Sequence, residues 1–184
     1  MLIIKGNVFT KDCVFEPGII SIEDDMIVDV KLCDKQELSG AEAEKYYIPG
    51  LVDVHFHGAA GYDFSDGTKE AYRAIEAYEN THGITTICPA TMTLPEDELC
   101  NIVQTAADCK LASLRGIHLE GPFISKEKKG AQKEDYIIAA DAALIEKLDE
   151  LSGGLVKLVS IAPETDGAID CIKRLSSRYH FSIA

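Results

Sequence analysis

"PGLVDVHFHGAAGYDFSDGT", Pro49 to Thr68, alternates apolar and polar side chains, ends the alternation on two histidines and then runs into small, flexible residues. Side chains two apart on a strand point the same way. His55 and His57 are therefore expected on one face with Asp53 and Leu51 behind them. Val52, Val54 and Phe56 take the other face, where helices would pack. Two imidazoles converging from the end of one strand make half of a divalent metal site. Structural or surface histidines explain the pair equally well when it is taken alone.

Downstream of this stretch, strand and helix patterns alternate. Thr68–Thr81 reads as a helix with Ala71, Ala74, Ile75 and Tyr78 on one face and Gly83 past its end. "GITTICPAT" (Gly83–Thr91) reads as a strand, and Thr93 as the cap of a helix opened by Pro95 that buries Leu99, Ile102, Val103 and Ala106. A third strand spans Leu114–Phe123, and a polar loop follows it. Asp141 caps the next helix, which buries Leu144, Leu148 and Leu151 and stops at Gly153-Gly154. Leu155–Glu164 is a fourth strand, Ala168–Arg178 a helix, and "HFSIA" opens a fifth strand. Such alternation implies βαβ units and a parallel sheet.

Two closures are open: a doubly wound sheet or a (β/α)8 barrel. A barrel takes about 250 residues, more than follow Pro49, and the chain stops inside a strand. The expectation is therefore an α/β chain in which residues 49–184 form the first half of a (β/α)8 TIM-type barrel, strands 1 to 5, in a truncated polypeptide. Residues 1–48 read as strands of a small, partial β-sandwich domain, with Gly18–Val30 a hairpin turning at Glu23-Asp24-Asp25.

The third strand adds a carboxylate. In "GIHLEGP", His118 and Glu120 share one face and Ile117 and Leu119 the other. A glutamate pointing into a core is costly unless its charge is compensated. Either a metal compensates it, or Arg115 or a lysine does. His118, one step deeper, suits a ligand or a hydrogen-bonded core residue equally.

Composition narrows the partners. The chain has 184 residues, 46% hydrophobic and 27% charged, with a net charge of −13. That balance argues against nucleic acid and anionic membranes, which need positive charge, but leaves room for a small anionic substrate. The six cysteines form no Cys-x-x-Cys pair, and no signal-peptide or membrane-length apolar run occurs. A cytoplasmic protein with reduced thiols is expected. Lys126-Glu127-Lys128-Lys129 reads as a solvated loop rather than a phosphate clamp. Cys88 beside Pro89 reads as packing, and no glycine-rich phosphate loop is present.

The stretches "PGLVDVHFHG", "GITTICPAT", "GIHLEGPFISKEKKGAQ" and "IAPE" together, in order and spacing, resemble the N-acetylglucosamine-6-phosphate deacetylase family of the amidohydrolase superfamily. The resemblance runs along nearly the whole chain, and "HLEGPF" followed by "KKGAQ" is its most specific part. It implies a (β/α)8 barrel with a small β-sandwich built from both chain ends. It also implies hydrolysis of the acetamide of N-acetylglucosamine 6-phosphate to acetate and glucosamine 6-phosphate. The implied cofactor is a divalent metal (Zn, Fe, Mn or Co), one or two per complete site. The family's glutamate ligand falls on Glu120, and the His-x-His pair that holds a second metal in some members falls on His55 and His57. Its substrate-contacting dipeptide falls on Ala131 and Gln132. Many members carry histidine where this chain has Gln132, which cannot offer a titratable proton.

The family's remaining metal histidines, its general-base aspartate and its phosphate-binding residues fall beyond Ala184. No catalytic base is therefore expected in this span, and the 184 residues alone are expected to be inactive. The resemblance further implies a homodimer for the intact enzyme. Other amidohydrolases that bridge two metals with a carboxylated lysine on strand four fit less well, because Lys157 stands near the start of that strand. The reading from a different class is a non-catalytic α/β binding domain.

Overall fold

The computed structural model describes all 184 residues, which separate into two compact units, Met1–Gly50 and Leu51–Ala184. No helix in it is long and apolar enough to cross a membrane.

In the first unit β1 (Leu2–Phe9), β2 (Phe15–Glu23) and β3 (Met26–Leu32) run as an antiparallel meander. β4 (Tyr46–Tyr47) pairs in parallel with β1, giving the order β3-β2-β1-β4. The hairpin expected around the acidic turn forms. Glu23 pairs with Met26, and Asp24 and Asp25 both take positive φ, 47° and 61°, the turn geometry that matches strand twist. A single helical turn, α1 (Gly40–Ala43), is held by a reciprocal cap in which Glu42 N donates to Ser39 Oγ and Ser39 N donates to the Glu42 carboxylate. Val8, Ile20 and Leu38 are this unit's buried apolar side chains, whereas every residue of β3 is exposed.

The second unit begins with β5 (Leu51–Asp53) and a small hairpin of β6 (Gly58–Ala59) and β7 (Tyr62–Asp63). Then α2 (Lys69–Thr81), α3 (Glu96–Cys109), α4 (Ala142–Leu151) and α5 (Ala168–Leu175) alternate with the strands β8 (Ile84–Ile87), β9 (Ala90–Thr91), β10 (Ile117–Glu120), β11 (Val156–Ile161) and β12 (His180–Ile183). β5 pairs in parallel with β8, and β9 through β12 form a parallel sheet.

The single strand expected over Gly83–Thr91 is broken into β8 and β9 at Cys88-Pro89, because proline has no N–H to give a ladder. Backbone bonds bridge the break: Cys88 N to Asp53 O and Ala90 N to Phe56 O, both 2.8 Å, and His118 N to Pro89 O, 2.9 Å. Strand order thus follows chain order, with none of the reversal that defines a doubly wound sheet. α2 packs on α3, α3 on α4 and α4 on α5. Ile87, Leu119, Val159 and Ile161 face a core shared with Tyr72, Ile102 and Ile145.

Two caps set the helix starts. Thr68 Oγ1 accepts from Ala71 N, and Asp141 Oδ1 accepts from both Ala143 N, 2.8 Å, and Leu144 N, 3.3 Å. Asp141→Ala is expected to lower the unfolding free energy by about 1–2 kcal/mol, with Asp141→Asn keeping most of it, as read from urea midpoints. Thr93 does not cap α3. Pro95 holds the N-cap position, and an acidic first turn of Glu96, Asp97 and Glu98 suits the helix dipole there. The hydroxyl of Thr93 instead donates to Glu120 O.

Candidate metal centre

The side chains that matter gather at the C-terminal ends of β5 and β10. β5 is shorter than the alternation suggested. It ends at Asp53, whose carboxylate accepts a hydrogen bond from His55 N, 3.0 Å, in an Asx-type turn. The strand is already irregular before it, with a register shift against β8 between Leu51 and Val52, and together they break the alternation. Val52 and Val54, expected against helices, instead line open cavities with Thr86, Cys88 and Leu158, while Phe56 packs on the core as expected. His55 lines the larger cavity with Glu120, and His57 reaches the same carboxylate.

His55 Nε2 lies 3.3 Å and His57 Nε2 3.2 Å from the same oxygen, Oε2 of Glu120. All three donor atoms fall within 4.8 Å of one another, a set able to hold a metal ion. Two ligands each about 2.0–2.2 Å from a tetrahedral cation stand about 3.4 Å apart, so these separations match one edge of a coordination shell. No lysine or arginine compensates Glu120. Arg115 is exposed and its guanidinium donates to its neighbour's carbonyl, Leu114 O. The two imidazoles are the carboxylate's only ionic partners. A half-buried carboxylate met by two imidazoles and no fixed cation suits a divalent ion by donor chemistry.

Behind these donors stands a buried polar layer. His118 is 5% exposed; its Nδ1 lies 2.9 Å from His55 Nδ1 and its Nε2 2.8 Å from Ser160 Oγ. Burial, first, and then the neighbouring His55 pull its pKa down to about 4, so the ring is neutral near pH 7. His118 is thus a hydrogen-bonded support whose neighbour, not itself, faces Glu120. Gln132, also buried, donates from Nε2 to Glu120 Oε1, 3.0 Å, and accepts at Oε1 from Thr93 N, 2.8 Å. Ala131, the other residue marked by the resemblance, is exposed.

A cavity of about 470 Å³ opens over the cluster, with His55, His118, Glu120, Gln132, Lys128 and Lys129 on its walls. Two lysines of the loop read as solvated therefore face this cavity. Lys157 stands at the other end of its strand, exposed, its ammonium bonded to Gly154 O, which removes the lysine-bridged alternative. Sequence reasoning missed Ser160 and Thr93 as parts of the site. Period two along β11 places Ser160 on the cavity face with Leu158, so that signal was available. Nothing local in the sequence marks Thr93.

A parallel α/β layer that gathers imidazole and carboxylate donors at the carboxyl ends of its strands is a scaffold suited to metal-assisted hydrolysis. No protein-family model matches the chain. Individual relatives do. The N-acetylglucosamine-6-phosphate deacetylase of Bacillus subtilis (strain 168) is 30% identical over 187 residues, covering 95% of this chain and 47% of the relative. Among solved structures, the Mycobacterium smegmatis enzyme of the same name superposes with a TM-score of 0.84 at 27% identity over 100% of this chain and 50% of that one. An aspartate-to-alanine mutant of the M. smegmatis enzyme, in complex with N-acetyl-D-glucosamine-6-phosphate, matches at the same TM-score, 0.84, and 28% identity, covering 100% of this chain and 49% of that one. The chain belongs to the N-acetylglucosamine-6-phosphate deacetylase family, and it spans about half the length of the curated relatives it matches.

Proposed function

We propose that these residues form the entry half of a cytoplasmic, metal-dependent deacetylase that cleaves N-acetylglucosamine 6-phosphate to glucosamine 6-phosphate and acetate. In this reading residues 49–184 are the first strands of a (β/α)8 barrel. The chain-order strand sequence and the packing of each helix on the next support it. The observation that carries the function is the meeting of His55 Nε2 and His57 Nε2 on one oxygen of Glu120 in an open cavity.

Those three residues would hold a divalent cation, which supplies Lewis acidity toward the amide carbonyl and toward a water molecule. The chain's own part is to orient. Glu120 contributes the charge, His118 and Ser160 fix the ring of His55, and the lysines at the cavity wall offer cationic donors to an anionic sugar phosphate. In keeping with the family resemblance, the base that relays the water's proton to the leaving amine would come from outside these 184 residues. The complete enzyme is proposed to pair as a homodimer.

The test is acetate release. The full coding-length protein is expected to release acetate from N-acetylglucosamine 6-phosphate with zinc or cobalt present, to stop on chelation, and to lose activity when His55→Ala and His57→Ala are combined. The 184-residue chain alone is expected to release none. Full activity in the double variant would remove the proposed role of this pair.

A further inference from the structure

We propose that Gln132 is a positioning residue that makes Glu120 a single-oxygen ligand. The inference rests on the metal-centre reading above and deepens it.

Its amide can be oriented without ambiguity. The group facing it on one side is Thr93 N, 2.8 Å away, and a backbone N–H only donates. The Gln132 atom turned to Thr93 must therefore be the acceptor oxygen. That leaves the NH2 facing Glu120 Oε1, 3.0 Å away, with Met92 Sδ at 3.8 Å as its other neighbour. The main chain is held as firmly: Gln132 N donates to Lys129 O, 3.1 Å, and Lys129 Nζ donates to Gln132 O, 3.2 Å. With 5% of the residue exposed, the amide is held on both sides, its oxygen by Thr93 N and one N–H by Glu120.

The consequence falls on the carboxylate. A carboxylate can meet a cation through one oxygen or both. Here a fixed neutral donor occupies Oε1, and Oε2 is the oxygen that both Nε2 atoms approach. Removing the donor frees Glu120 to rotate and to bind through both oxygens. An orienting partner of this kind is worth about 10–100-fold in metal affinity.

The experiment is zinc titration of the full coding-length protein as wild type, Gln132→Met and Gln132→His, with the visible spectrum of the cobalt-loaded forms recorded alongside. Gln132→Met is expected to weaken zinc binding about 10–100-fold and to shift and weaken the cobalt bands as Glu120 turns to two-oxygen coordination. Gln132→His, whose neutral ring keeps one acceptor and one donor, is expected to restore much of both. If wild type and Gln132→Met bind zinc equally and their cobalt spectra coincide, the positioning role is overturned while the metal centre stands. If the full-length wild type takes up neither ion, the metal-centre reading fails, and this inference fails with it.

Discussion

Gly121→Ala is expected to destabilise the second unit by about 2–5 kcal/mol, a large share of the roughly 5–15 kcal/mol that holds a domain together. Two costs combine there. Gly121 has φ +83°, where any other L-residue pays about 1–2 kcal/mol for its Cβ. That Cβ would also run into the side chain of Thr93, meeting its hydroxyl oxygen inside contact distance and its Cβ at 3.0 Å. Thr93 is itself buried, so overpacking adds about 1–3 kcal/mol. Gly130→Ala separates the terms: φ is +60° there, but nothing lies within 4 Å of the added carbon. It is expected to show only the backbone part, about 1–2 kcal/mol, in parallel urea unfolding curves. Because Thr93 N anchors Gln132, Gly121→Ala is also expected to weaken metal binding, and Gly130→Ala is not. Equal losses for the two would mean that the crowding at Thr93 carries no weight.

How much of this is legible in the sequence depends on the range over which each determinant acts. Period two in "GIHLEGP" separates Glu120 from Leu119, and the structure has Leu119 fully buried in the core with Glu120 half-buried at the cavity. The βαβ rhythm, the cap at Asp141 and the acidic hairpin turn are likewise local and can be read from their own residues, whereas Thr93, read the same way, does not cap α3. The face of Val52 and Val54 cannot be read locally either. Alternation holds only while the strand stays regular; β5 shifts register against β8 between Leu51 and Val52, and the Asp53 side chain then captures His55 N two residues on. An aspartate two residues before the histidine hints at such a turn, but the apolar alternation across it outweighs the hint.

The supports of the site are less visible for a different reason. Gln132 reaches Thr93 across 39 residues of chain and Glu120 across 12. His118 reaches Ser160 across 42 and His55 across 63. No local pattern encodes such pairs. They exist because β5, β8 with β9, β10 and β11 lie side by side in chain order, which brings the ends of separate strands to one edge of the sheet. The ligand triad itself can be found from residue type and strand position. The hydrogen bonds that aim it need the fold.

Adjacent residues of β10 should therefore fail in opposite ways. Leu119→Ala removes a fully buried side chain from the helix-facing core and is expected to cost about 2–5 kcal/mol of stability, while zinc affinity of the folded fraction stays near wild type. Glu120→Gln keeps the size and the acceptor that Gln132 Nε2 needs, so the metal-free protein is expected to unfold near the wild-type midpoint. What it removes is the only anionic donor of the triad. Loss of an orienting neighbour alone costs about 10–100-fold, and loss of the ligand it orients should exceed about 100-fold. Thermal unfolding reads both effects together. A cation that binds only the folded state adds about 2.7 kcal/mol at 100 times its Kd, so zinc should raise Tm for wild type and for Leu119→Ala but leave Glu120→Gln where it was. A zinc-dependent rise in Glu120→Gln as large as in wild type would place the ion elsewhere, and His55 and His57 would then need another explanation for their convergence.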